Sequence, residues 1–138
     1  FITTDDGTRG EKGLVTDVLT RLLNTPGNSV SLDIQRVIAI GPPRMMKKVA
    51  EITRPFRIKT IVSLNTIMVD GTGMCGSCRV FLGKMMKLAC IDGPEFDAHQ
   101  VNFEDVISRL EMFRQKERLA LEAYQQELRA KREISEEK

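Results

Sequence analysis

A chain of 138 residues is long enough for one domain with a core of its own. Its 21 basic and 19 acidic residues leave a formal charge of +2, with 5% aromatic residues and no Trp. That excludes the basic, ring-rich surface of a nucleic-acid binder. Apolar residues at 41% and charged residues at 29% are those of a globular protein, and no run approaches the roughly 20 apolar residues that span a bilayer. The chain opens on Phe1 without an initiator Met, so it is expected to be the latter part of a longer protein. Reduced thiols and the lack of a signal peptide make the cytoplasm the expected compartment.

Phe1 and Ile2 read as the tail of a strand, followed by a loop dense in glycine and acid over 3–13. Leu14, Val15, Val18, Leu19, Leu22 and Leu23 recur on one face of an amphipathic helix. Residues 24–28, with Pro26 and Gly27, are expected to close it. The apolar run 37–40 predicts a parallel strand covered on both faces, broken by Gly41, Pro42 and Pro43. Met45, Met46, Val49, Ala50 and Ile52 predict a second helix that stops before Pro55, and 59–64 a third strand.

This β-α-β-α-β order predicts an α/β fold built on a partial doubly wound parallel sheet with right-handed crossovers. The loops 3–13, 41–44 and 65 onward would then converge at the carboxyl edge, where such sheets bind ligands. Further on, 79–82 and 87–90 predict a hairpin about Gly83 and Lys84, followed by a turn at Asp92, Gly93 and Pro94. A long helix is expected from Phe103, with Val106, Ile107, Leu110 and Phe113 on one face. Beyond Gln115 it is laced with Glu, Lys and Arg around Leu119, Leu121, Tyr124 and Leu128. A solvated tail is the plainer reading, and docking on a partner subunit the sharper one.

All three cysteines fall in the stretch 70–90, which reads DGTGMCGSCRVFLGKMMKLAC. Asp70 stands five positions before Cys75, Cys78 follows in a C-x2-C pair, and Cys90 comes after eleven more residues. With a cysteine in first place this would be the plant-type ferredoxin spacing. Gly71, Gly73 and Gly76 permit a wrapped backbone whose N–H groups turn inward, as sulfide-bridged iron requires. The leading expectation is a [2Fe–2S] site on Asp70, Cys75, Cys78 and Cys90.

Three rivals share these residues. A zinc site would add His99 as fourth ligand and make the chain a metal-stapled, non-enzymatic binding module. A thioredoxin-like dithiol needs a helix directly after the pair, whereas residues 79–82 read as a strand. A structural disulfide is disfavoured by the odd cysteine count. Elsewhere, Asp5 and Asp6 after the first strand are placed to accept ribose hydroxyls, which favours NAD(H) over NADP(H), although Arg9 and Lys12 share the loop. Gly41 and Pro42 offer a side-chain-free approach at a helix start. One His assembles no hydrolytic triad.

Together these segments resemble the ferredoxin–NADP reductase superfamily. More narrowly they are similar to the small, iron–sulfur- and flavin-bearing subunit of NADH-dependent ferredoxin:NADP oxidoreductase, also called the sulfide dehydrogenase small subunit. The matching stretches are TTDDGTRGEKGLVTD (3–17), AIGPPRMM (39–46), SLNTIMVDGTGMCGSCRV (63–80) and CIDGPEFD (90–97). The resemblance implies an N-terminal FAD-binding barrel, a nucleotide-binding domain and a C-terminal [2Fe–2S] segment. It implies that Asp70, Cys75, Cys78 and Cys90 ligate the cluster, and that Thr4, Asp5, Asp6, Gly41 and Pro42 form the NAD(P)(H) edge.

On that basis residues 1–66 are expected to be the second half of the nucleotide domain. Residues 67–98 would be the cluster segment, and 99–138 a helix and charged tail. The implied partners are pyridine nucleotide, a larger flavin/iron–sulfur subunit of a heterodimer and, indirectly, ferredoxin, with no nucleic acid or membrane. The sister branch, the electron-transfer subunit of dihydroorotate dehydrogenase, has a cysteine where Asp70 stands. The flavin barrel and the glycine-rich phosphate loop are absent, so the chain alone is expected to be inactive.

Overall fold

A computed structural model describes residues 1–24 and 34–136; most of the expected helix closure at 24–28 lies outside them. Two short strands, β1 (Thr3–Thr4) and β2 (Glu11–Lys12), pair in parallel with each other. Their loop closes on Gly10, at φ 74°, where an added Cβ would lie 2.1 Å from the Ile2 carbonyl oxygen. This pairing is local, so the first strand does not join the central sheet as its sequence position suggested. Helix α1 (Val15–Asn24) follows, and the Asp17 carboxylate accepts the Leu14 N–H at 2.9 Å near its start. Val18 is buried and Leu19 packs against the core, while Leu14 and Val15 are exposed.

Strand β3 (Arg36–Ile40), helix α2 (Pro43–Thr53) and strand β4 (Lys59–Ser63) form the expected crossover. The two strands are parallel, in register from Arg36 opposite Lys59 to Ile40 opposite Ser63. Helix α2 begins at Pro43, whose missing N–H costs nothing in a first turn, and ends before Pro55. Met46, Val49 and Ala50 bury its inner face, and the Thr60 hydroxyl donates to the Thr53 hydroxyl at 2.7 Å. Only one face of β3 is covered: Ala39 is buried, but Ile38 and Ile40 are 59% and 70% exposed. The apolar run marked a strand correctly, yet no described element packs on its second face.

The chain then makes the hairpin β5 (Arg79–Leu82) and β6 (Met85–Leu88), turning at Gly83 with φ 58°. The second strand lies two residues earlier than the expected 87–90, because residues 89–92 coil into a single-turn helix, α3 (Ala89–Asp92). Strand β7 (Glu95–Asp97) pairs antiparallel with β4, Phe96 opposite Val62, so the central sheet runs β3-β4-β7. The parallel sheet that was expected is therefore a mixed one of three strands. The Gly83 N–H donates to the Gln100 carbonyl and the Asn102 N–H to the Phe81 carbonyl, each at 2.8 Å, which docks the hairpin onto this body.

Helix α4 (Phe103–Leu110) is capped by the Asn102 side chain, which accepts the Asp105 N–H at 3.1 Å. It ends in a turn at 111–113, and α5 (Arg114–Glu136) continues separately, so the single long helix is two. One core joins Met46, Val49, Val62, Leu64, Phe96, Phe103 and Val106 to Cys78, Val80 and Ala89. No helix among the described residues is long and apolar enough to cross a membrane.

Candidate metal centre

The loop leaving β4 is organised by one carboxylate. Asp70 Oδ1 accepts the Thr72 N–H at 2.9 Å and Oδ2 accepts the Cys75 N–H at 2.8 Å. The Thr72 amide is the main reason that the Asp70 pKa lies below its ordinary value. The wrap needs left-handed backbone at Gly71, Gly73 and Gly76, with φ of 72°, 85° and 66°. At Gly73 the constraint is also steric, since an added Cβ would lie 2.8 Å from Ile91 Cγ1.

The cysteines sit in three environments. Cys75 is exposed, and its sulfur accepts the Ser77 N–H at 3.4 Å; the Ser77 side chain first, and then this N–H, draw the thiol pKa down and favour thiolate. Cys78 is 2% exposed, held in the core at the start of β5, and its carbonyl accepts the Ala89 N–H at 3.1 Å. Cys90 lies on α3, and the short helix brings its sulfur to 3.2 Å from that of Cys78. The hydrogen bond with Cys78, and then burial, push the Cys90 thiol pKa up. Asp92 secures α3 by accepting the Leu88 N–H at 2.8 Å and the Lys87 ammonium at 3.0 Å.

All three thiols are free. As the side chains stand, no three His, Cys, Asp or Glu among the described residues converge on one point to hold an ion. The donor set nevertheless fits iron and sulfide: three sulfurs and one carboxylate on a wrapped loop, two sulfurs already adjacent, and an amide aimed at the third. Zinc loses its fourth ligand in this arrangement, because His99 Nε2 hydrogen-bonds to the Thr53 hydroxyl at 3.1 Å on α2. A strand, β5, follows Cys78 where a thioredoxin-like site would have a helix.

The expected nucleotide residues are only partly gathered. Gly41 and Pro42 stand at the carboxyl end of β3, on the same sheet edge as the loop leaving β4. Thr4 ends β1, with Asp5 and Asp6 after it, and β1 lies outside that sheet, so two of the three expected loops share its edge. Thr4 Oγ1 donates to the Arg9 carbonyl at 3.1 Å. Asp6 Oδ1 accepts the Thr8 N–H and hydroxyl, chiefly the former lowering its pKa; Asp5 is exposed. A groove of about 440 Å³ between α2 and α4 pairs its own charges, Arg44 with Glu111 at 2.7 Å and Lys47 with Glu104 at 2.6 Å. Arg109 went unnoticed in the sequence: its guanidinium donates to the Ser77 carbonyl at 2.8 Å. It stands one position before Leu110 on α4, among residues read only for their apolar face.

Comparison with known proteins supports the iron–sulfur reading. The iron–sulfur cluster binding domain of dihydroorotate dehydrogenase B matches residues 65–102. A Thermotoga maritima homolog of the dihydroorotate dehydrogenase B (NAD(+)) electron transfer subunit is 41% identical over 124 residues, which is 90% of this chain and 42% of that protein. A Clostridium beijerinckii protein from the adh 3′ region is 47% identical over 117 residues, 85% of this chain and 38% of its own length. A solved structure of NADH-dependent reduced ferredoxin-NADP oxidoreductase, described for flavin-based electron bifurcation, superposes with a TM-score of 0.70 at 40% identity. It covers 88% of this chain and 42% of its own. The chain thus spans about two fifths of the length of these proteins. It is similar to the ferredoxin reductase-like electron-transfer subunits, and its residues 65–102 match an iron–sulfur cluster binding domain.

Proposed function

We propose that this chain is the electron-transfer portion of a flavin/iron–sulfur oxidoreductase subunit, with a [2Fe–2S] cluster on Asp70, Cys75, Cys78 and Cys90. The observation that carries this reading is the approach of Cys90 to 3.2 Å from Cys78 while Asp70 holds the amide of Cys75. Eleven residues lie between the last two cysteines, and α3 brings them together. When bound, such a cluster passes electrons singly, whereas hydride chemistry belongs to a flavin. The chain's own part is to hold the donors, aim backbone N–H groups at the sulfurs and keep Cys78 away from water.

Residues 1–66 are read as the second half of the pyridine-nucleotide domain, with Thr4, Asp5, Asp6, Gly41 and Pro42 at its edge. The FAD lies on a preceding domain, and a larger flavin/iron–sulfur subunit is the partner, in the cytoplasm. Asp70 favours the ferredoxin-linked branch over dihydroorotate oxidation, since a thiolate is expected at that position in the latter. The test is metal and sulfide analysis with a visible spectrum on anaerobically purified protein. About two iron atoms and two labile sulfides per chain are expected. One zinc with no iron, lost on His99→Ala substitution, would replace this reading with a metal-stapled binding module.

A further inference from the structure

We propose that Arg109 is a positioning residue for the iron–sulfur loop: from α4 it holds the Ser77 carbonyl and so sets the electron affinity and lifetime of a cluster bound by Cys75 and Cys78. The inference rests on the iron–sulfur reading above.

A peptide unit carries its C=O and N–H on opposite sides. Arg109 Nη2 holds the Ser77 carbonyl at 2.8 Å, so the N–H of that unit, which belongs to Cys78, is directed away from the guanidinium. The preceding unit is held in the same way. Its Gly76 carbonyl accepts from the Arg79 guanidinium at 3.4 Å, and its N–H, from Ser77, reaches the Cys75 sulfur at 3.4 Å. Two arginines therefore fix the orientation of two successive amides between the paired cysteines. Arg79 is an exposed neighbour on β5, whereas Arg109 arrives from 32 residues away on a helix rooted in the core by Phe103 and Val106.

Arg109 is held at the loop by a hydrogen bond and not by an ion pair. Among the described residues neither it nor Arg79 forms an ion pair, and the nearby Asp105, one turn earlier on α4, leaves a buried carboxylate oxygen without a partner. Arg79 and Arg109 line a small cavity with Thr66 and Ser77, and the Thr66 hydroxyl is buried there without a partner. The back of the loop is thus a polar wall that carries two guanidinium groups. Reduction adds one negative charge to a cluster, so a fixed cation behind the loop favours the reduced form, as do amides aimed at sulfur. Residues that orient metal ligands typically change metal retention by tenfold or more.

The test uses the full chain loaded anaerobically, with EPR-monitored redox titration and the rate of iron loss to a chelator. Arg109→Leu should weaken electron affinity about tenfold, a potential about 59 mV more negative for a one-electron couple, and speed iron loss about tenfold. Arg109→Gln, which keeps a donor for Ser77 but no charge, should restore retention while the potential stays low. Arg109→Lys should return the potential close to that of the unsubstituted chain. Equal potentials and equal iron loss across the loaded variants would overturn the inference. If Arg109→Leu fails to load, the potentials of the Gln and Lys variants decide alone. An unsubstituted chain that takes up no iron overturns the iron–sulfur reading itself, a result distinct from a loaded chain indifferent to position 109.

Discussion

Asp70 has two roles that substitution can separate. Its carboxylate already serves the backbone, accepting the amides of Thr72 and Cys75, and it is also the proposed fourth ligand. Asp70→Asn keeps an acceptor for the Thr72 amide but removes the anionic donor. It keeps the bond to Thr72, loses the one to the Cys75 N–H, and should speed iron loss about tenfold, whereas Asp70→Cys should restore retention with an altered visible spectrum. Full iron occupancy with an unchanged EPR signal in Asp70→Asn would make Asp70 a turn residue and remove the main support for the branch assignment. At this scale the cysteines, the carboxylate and the glycines were legible, because their spacing is itself the signal. Arg109 and Thr66 were not. A guanidinium holding a carbonyl, or a hydroxyl stranded in a cavity, leaves no periodic trace.

The elements were readable where punctuation and periodicity agreed. Pro43 and Pro55 bracket α2 as expected, and β-branched residues mark β3 and β4. The misses were short. Glu95–Asp97 sits among turn residues and pairs as β7 only because β4 offers it an edge, and α3 is a single turn set by Asp92. Between α4 and α5 no Gly or Pro announces the break at 111–113, so the apolar face appeared continuous.

Helices α2 and α4 are also bridged by charge. Lys47 lowers the Glu104 pKa and Arg44 lowers that of Glu111, each mainly through its hydrogen bond. A carboxyl whose folded pKa is depressed adds stability above its unfolded value, about 4.3, and loses it as pH falls through the folded value. The Lys47 pKa is raised, so its share is present below about 10.4 and lost as pH rises beyond. Glu104→Gln should accordingly lower the melting temperature at neutral pH, and the gap should close on acidification toward pH 3 and shrink in high salt. Helix α5 should contribute little. Its described side chains are all exposed, so deleting residues 115–138 should change unfolding free energy by less than about 1 kcal/mol.

For the molecule as a whole, the chain is expected to store electrons without drawing them from a nucleotide. The described residues form no flavin-binding barrel, and Gly41 and Pro42 stand on a sheet that β1 does not join. Addition of NADH to the loaded chain should leave an artificial dye oxidised, whereas dithionite should bleach the cluster. Dye reduction without added flavoprotein would show that the nucleotide half is self-sufficient.

The two borders of the central sheet differ in kind. At β7 the border is three residues long and flanks Phe96 with Glu95 and Asp97, a charged rim that discourages further pairing. At β3 it is five residues long, with Ile38 and Ile40 bare on one face. The sheet can therefore lengthen in one direction only. A second copy joining through its own β3 would consume the adhesive border of both sheets, so an isologous pair closes on itself and leaves only the charged β7 rims outward.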